Sequence, residues 1–158
     1  MELYFLRHGA AEKRGDWPGD DASRPLTEDG KTAVRAVARL LAAAGVRPDV
    51  VVSSPLVRAR QTAEVAVEEL GHTASVIEDE RLAGGLEARH LASLLADLRR
   101  PERVMLVGHE PDFSRVIGEL TGGRVVCKKG GIARVDVIDD KELRGDLVWL
   151  VPPRLAGG

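Results

Sequence analysis

Aromatic residues and cysteine are both scarce in this chain. Two Trp, one Tyr and two Phe make up 3% of 158 residues, too few to build a stacking platform for single-stranded nucleic acid. The lone cysteine, Cys127, excludes an internal disulfide and fits a reducing compartment. Long hydrophobic runs are missing too. Met1–Leu6 is apolar but too short for a signal segment and has no basic stretch before it. Val37–Val46 is interrupted by Arg39 and falls well short of the ~20 residues a membrane span needs. Neither charge dominates: 23 basic and 25 acidic residues leave a net charge of −2. That balance argues against a broad nucleic-acid-binding surface or a polybasic membrane anchor, while leaving room for a local basic pocket. Gly 17 and Pro 8 are too few for a low-complexity chain. What remains is 44% hydrophobic, enough to bury a core without disulfides or metals. These features predict one domain over residues 1–158, located in the cytoplasm, with no nucleic-acid or membrane partner.

Strand-like and helix-like segments alternate along the chain. Leu3–Leu6 reads as a buried strand ending at Arg7-His8-Gly9. Glu12–Pro25, with Gly15, Pro18 and Gly19, reads as a long loop. Thr27 then caps a helix whose apolar positions Val34, Val37, Leu40, Leu41 and Ala44 recur at helical spacing up to Gly45. Val50–Val52 is a β-branched strand, and Ser54-Pro55 reads as the cap and first residue of a second helix that Gly71 terminates. Val76-Ile77 predicts a short third strand, Leu91–Leu98 a third helix and Val104–Val107 a fourth strand. Gly108–Pro111 leads into a helix ending near Gly122-Gly123. A hairpin from Ile132 to Val151 closes the pattern. The fold class this predicts is α/β: a three-layer α/β/α sandwich around a largely parallel central sheet.

In such sheets, sites form in the loops at the carboxyl ends of strands. Three candidate loops fall there: Arg7-His8-Gly9, Ser53–Thr62 and Gly108–Pro111. Together they supply two histidines and at least two arginines, a set suited to a tetrahedral oxyanion because guanidinium forks match phosphate geometry. Each piece alone has an ordinary explanation. A single histidine near a strand end is commonly structural, and His109 could satisfy a loop carbonyl. Arg58 and Arg60 lie in the first turns of a helix, against its dipole, which favours a functional reading for at least one of them. His72 and His90 read as surface residues. Cys127 reads as a small buried apolar residue rather than an activated thiol.

In combination these segments say more. Leu6-Arg7-His8-Gly9, then Arg24-Pro25-Leu26-Thr27 with Gly30, then Ser53-Ser54-Pro55-Leu56 with Arg58-Ala59 and Gln61-Thr62-Ala63, then Val107-Gly108-His109-Glu110-Pro111, resemble the histidine phosphatase superfamily. This is the phosphoglycerate mutase-like group, and the short chain and Arg-Pro-Leu-Thr segment look most like its SixA-type phosphohistidine phosphatase branch. The resemblance covers Met1–Val151. It implies that His8 is the nucleophile carrying a transient phosphoryl group. Arg7 and Arg58 would hold the phosphoryl oxygens, with His109 as a second histidine bonded to the same group. Arg24 would be a further phosphate contact. Gly9 would leave space beside the nucleophile and orient its ring through the carbonyl. No metal or cofactor is called for.

One position departs from the family pattern. Many members place a glutamate acid after a central Arg-Leu pair, whereas here Arg81-Leu82-Ala83 is followed by Gly84. An alkoxide leaving group needs such an acid, but imidazole leaves readily because its conjugate acid titrates near neutrality. The departure therefore points to P–N cleavage in phosphohistidine on a protein. Glu110 could restore an acid and Glu87 less directly; alternatively Glu110 simply complements a helix N-terminus. Short loops predict an open cleft without an inserted lid, lined by Lys128 and Lys129 if these are not simply solvated. The competing readings are a small-molecule phosphomonoesterase acting on a phosphorylated metabolite and a phosphate-recognition module without turnover.

Overall fold

The computed structural model describes residues 1–73 and 75–157. Six strands form one sheet: β1 (Glu2–Arg7), β2 (Val50–Ser53), β3 (Ile77–Glu78), β4 (Arg103–Gly108), β5 (Ile132–Asp139) and β6 (Arg144–Val151). Their order across the sheet is β3-β2-β4-β1-β5-β6. The β3-β2-β4-β1 part is parallel, and β5 and β6 continue it antiparallel. Helices α1 (Glu28–Ala43), α2 (Val57–Leu70), α3 (Ala88–Asp97) and α4 (Asp112–Thr121) cover the two faces. No helix among the described residues is long and apolar enough to cross a membrane.

The period-2 alternation of the strands divides the core in two. Leu3, Phe5, Val104 and Leu106 point to one face, where Leu91, Leu94 and Leu95 of α3 and Phe113, Val116 and Ile117 of α4 pack on them. Tyr4, Leu6, Met105 and Val107 point to the other, against Val37, Ala38 and Leu41 of α1 and Ala59, Ala63 and Ala66 of α2. The alanine face of α2 lets that helix lie close to the sheet. Each buried Leu or Phe contributes about 1.5–3 kcal/mol. Phe5 and Phe113 add an edge-to-face contact with centroids 5.3 Å apart.

Several helix boundaries follow the capping chemistry. Thr27 accepts the Gly30 N–H as N-cap of α1, with Glu28 and Asp29 in the first turn. Gly71 and Gly122 end α2 and α4 in left-handed conformation. Helix α2, however, begins at Val57 with Leu56 as its N-cap, so the Ser54-Pro55 start is two residues early. The buried Ser54 hydroxyl is occupied elsewhere, as described below.

Register then sets the position of the site. Arg7 pairs with Gly108 and Ser53 with Val107. The main chain extends both ladders by one step, His8 N to Gly108 O at 3.0 Å and Ser54 N to Val107 O at 2.9 Å. His8, Ser54 and His109 therefore leave three adjacent strands at the same edge of the sheet.

Candidate active site

At that edge lies a cavity of about 630 Å³, lined by Arg7, His8, Arg24, Arg58, His109 and Glu110 among others. Six of the side chains singled out in the sequence thus reach one cavity, and Glu87, the weaker candidate acid, does not. Gly9 does not line it. Its N–H is committed to Thr62 Oγ1 at 3.1 Å, and its carbonyl accepts from His8 Nδ1 at 2.7 Å. The expected space beside the nucleophile is absent: a Cβ on Gly9 would lie 2.9 Å from both Gly30 O and Val34 Cγ2. Gly9 is needed because α1 crosses directly against it.

The His8–Gly9 hydrogen bond defines a tautomer. A carbonyl can only accept, so Nδ1 carries the proton and the neutral ring presents its lone pair on Nε2. Nε2 makes no hydrogen bond among the described residues. Burial, with His8 only 8% exposed, drives its pKa down to about 3, and His109, Arg58 and Arg7 push the same way. His109, 7% exposed, is lowered to about 4 by burial and then by Arg58. Both rings are neutral near pH 7, with centroids 5.2 Å apart. Desolvation, more than the arginines, keeps the His8 ring unprotonated.

The cations around the rings are incompletely paired. Arg7 donates from Nη1 to Cys127 O at 2.8 Å, and Arg58 from Nη1 and Nη2 to Asp21 O and Oδ2 at 2.8 and 3.1 Å. Arg7 Nε, Arg58 Nε and His109 Nδ1 are buried without a partner. Apart from His72 Nε2 these are the only such side-chain atoms among the described residues. Three nitrogens without a partner, on residues that all line this cavity together with the neutral His8 ring, make a donor set suited to an anion. Arg24 differs: its Nε and Nη2 contact Asp21 Oδ1 at 3.2 and 3.1 Å and its Nη1 donates to Glu12 O at 2.7 Å. Of the two helix arginines, Arg58 is the buried one; Arg60 is half-buried and pairs with Glu64 and Glu78.

Several residues act here that the sequence did not single out. Asp21 contacts Arg14, Arg24 and Arg58 at once. Burial works to raise its carboxyl pKa, but Arg24 and Arg58 outweigh this and hold it below the usual range. Thr62 ties the site together by donating to Arg58 O at 2.7 Å while accepting from Gly9 N. Asp112, buried, accepts from Leu86 N at 3.1 Å and pairs with Arg115, anchoring the loop that carries Gly84 and Gly85 along the cavity. Nothing in the sequence separates Asp21 from its neighbours Asp16 and Asp20, whereas Thr62 lies inside a motif already noted.

The loop that follows the first strand contributes to the cleft. Ala11, Glu12, Lys13, Arg14, Asp21 and Arg24 all line it, so the loop of residues 12–25 forms one wall, held by a 3-10 turn (Asp21–Ser23) against Arg58. Lys129 lines the cavity and Lys128 does not. Gly84 lies on the wall and Glu87 does not. Glu110 lines the cavity while its Oε1 accepts from Ser114 N at 3.0 Å, so both of its readings keep a geometric basis. The Cys127 thiol is buried and pushed up to about 11 by burial, then by Glu110, which keeps it protonated.

Comparison with known proteins identifies the family of the chain. The profile of the Histidine phosphatase superfamily (branch 1) matches residues 3–90. An uncharacterized protein of Picosynechococcus sp. is 39% identical over 173 residues, covering 96% of this chain and all of that one. Phosphohistidine phosphatase SixA of Escherichia coli is 27% identical over 97% of this chain and 94% of its own length. A solved structure of the protein histidine phosphatase SixA with tungstate superposes with a TM-score of 0.85 at 26% identity, covering 98% of this chain and 99% of that one.

Proposed function

Because the chain belongs to the histidine phosphatase superfamily, we propose that it is a phosphatase working through a phosphoryl group carried on His8, with phosphohistidine on a protein as its substrate. The observation that carries this reading is the neutral His8 ring, its lone pair on Nε2, beside the unpartnered Arg7 Nε, Arg58 Nε and His109 Nδ1. In the first step Nε2 bonds to phosphorus as the bond to the leaving group breaks, and Arg7, Arg58 and His109 donate to the equatorial oxygens. In the second, water attacks phosphorus, inorganic phosphate departs and His8 regains its lone pair. Arg24 also lines the cavity and is held by Asp21 and Glu12 within the loop that forms one wall.

Two features support the P–N substrate. Gly84 lines the wall where an acid for an alkoxide would otherwise stand, and the likeness to SixA runs the length of both chains. A leaving imidazole takes up its proton near neutral pH and needs little help. Glu110 on the cavity wall favours a second reading, a phosphomonoesterase for a small metabolite in which its carboxyl protonates the leaving oxygen.

The decisive experiment compares turnover of a histidine-phosphorylated carrier protein, phosphoramidate and p-nitrophenyl phosphate, with rapid denaturing quench at alkaline pH to trap labelled enzyme. The expected result is preference for the P–N substrates and label on wild-type protein that disappears in His8→Ala. Label retained in His8→Ala removes the nucleophile assignment, and strong preference for the ester moves the function to the second reading. No turnover of any substrate would leave a phosphate-recognition module.

A further inference from the structure

The loop between β2 and α2 bears on the protonation state of the second histidine. Ser54 is fully buried, and its Oγ lies 2.8 Å from His109 Nε2. The same oxygen accepts the Leu56 N–H at 3.2 Å. The Ser54 N–H goes to Val107 O, and its carbonyl accepts from Ser53 Oγ at 2.8 Å. Once these are counted, the Ser54 hydroxyl proton has one acceptor within reach among the described residues, His109 Nε2. If Nε2–H instead donated to Ser54, the buried hydroxyl would be left without an acceptor. His109 Nδ1 would then be a bare lone pair beside Arg7 and Arg58, pointing electron density at any bound anion.

We propose that Ser54 is a positioning residue whose hydroxyl donates to His109 Nε2, thereby placing the ring proton on Nδ1, where it serves as a donor to the phosphoryl oxygen. A relay follows in which the Leu56 N–H polarises Ser54 Oγ, Ser54 O–H donates to Nε2, and the unpartnered Nδ1–H is presented to the anion. The neutral ring then acts as a hydrogen-bond donor without carrying a charge. This also explains why Ser54 does not cap α2: its proton is used on the histidine and its lone pair on the loop. The assignment rests on the phosphatase reading for its catalytic consequence, but the tautomer itself does not.

The test uses the full chain labelled with 15N-histidine, with the His109 signals assigned by their loss in His109→Asn. In the unliganded wild type, Nδ1 is expected to be protonated and Nε2 bare, and inorganic phosphate should shift the Nδ1–H signal. Ser54→Ala is expected to populate the Nε2–H tautomer and to lower kcat about 10-fold with a smaller change in KM, as weakening one oriented donor to the transition state does. Ser54→Thr should restore both tautomer and kcat. A wild-type ring protonated on Nε2 overturns the proposal, as does Ser54→Ala with unchanged tautomer and kcat. If Ser54→Ala fails to fold, the wild-type spectrum decides. Absence of turnover in the wild type counts against the phosphatase reading alone, since the tautomer is read without substrate.

Discussion

Asp21 grips Arg58 at two points, its carboxylate Oδ2 at 3.1 Å from Nη2 and its main-chain carbonyl at 2.8 Å from Nη1. The main-chain contact orients the guanidinium; the carboxylate adds a negative charge next to a pocket shaped for an anion. Asp21→Asn keeps the first and removes the second. It is therefore expected to tighten inorganic phosphate binding about 2- to 5-fold, the range of a half-exposed charge effect of about 0.5–1 kcal/mol. Isothermal titration with phosphate at two salt concentrations measures this, with the gain shrinking at high salt. Weaker binding in Asp21→Asn would make the carboxylate a support rather than a competitor.

Burial of two neutral histidines makes stability depend on pH. The folded rings titrate at about 3 and about 4, whereas the unfolded rings titrate near ~6.5. Between those values the unfolded chain binds protons that the folded chain refuses, so stability falls as pH drops below about 6.5 and continues to fall toward the folded values. Each histidine adds a slope of up to about 1.4 kcal/mol per pH unit. Urea unfolding at pH 7, 6 and 5 should show that loss, and a shallower slope in His8→Asn. A flat profile from pH 7 to 5 contradicts neutral burial.

Alanine normally improves a helix over glycine by about 1 kcal/mol, and Gly30 lies in the first turn of α1. Here the sign reverses, because a Cβ at Gly30 would collide with Ala10 O. Gly30→Ala is expected to destabilise by about 1–3 kcal/mol or more and, by pushing α1 away from Gly9, to slow His8 chemistry as well. Thermal denaturation and single-turnover rates check both effects. A melting temperature at or above that of the wild type would sink this account.

Glu110 separates the two substrate readings. Glu110→Gln retains a side-chain oxygen for the Ser114 N–H but cannot give a proton. For p-nitrophenyl phosphate and phosphoramidate, whose leaving groups need little protonation, kcat is expected to change less than about 3-fold; for a phosphorylated alkyl alcohol any activity should fall about 10²-fold. Equal loss on all three substrates would assign Glu110 to the structure of α4 instead.

The parts of the fold legible in the sequence were those fixed by short-range chemistry. Thr27, Gly71 and Gly122 marked helix ends because capping is decided within a few residues. The strands at Leu3–Leu6 and Val104–Val107 were evident from apolar runs that only a sheet covered on both faces accommodates. The gathering of Arg7, His8, Arg58 and His109 at one edge followed from strand ends and the family motif. What eluded the sequence depends on distant partners. Ser54 looked like a cap until His109 claimed its hydroxyl, and Asp21 acquired its role only because the loop of residues 12–25 folds onto Arg58. The close approach that requires Gly9 likewise arises from α1 packing, which local spacing does not encode.

The pairing of Arg7 with Gly108 has a consequence for folding. The two histidines directly follow strands that are neighbours in the sheet but lie on opposite sides of three helices and two strands in the chain. No contiguous segment ending before β4 holds an assembled site, and the loop closures that bring β1 and β4 together are the slow, non-local kind. Recovery of phosphate binding after dilution from denaturant should therefore trail the return of helical signal. Fragments divided between α3 and β4 should be inert apart and competent only when mixed.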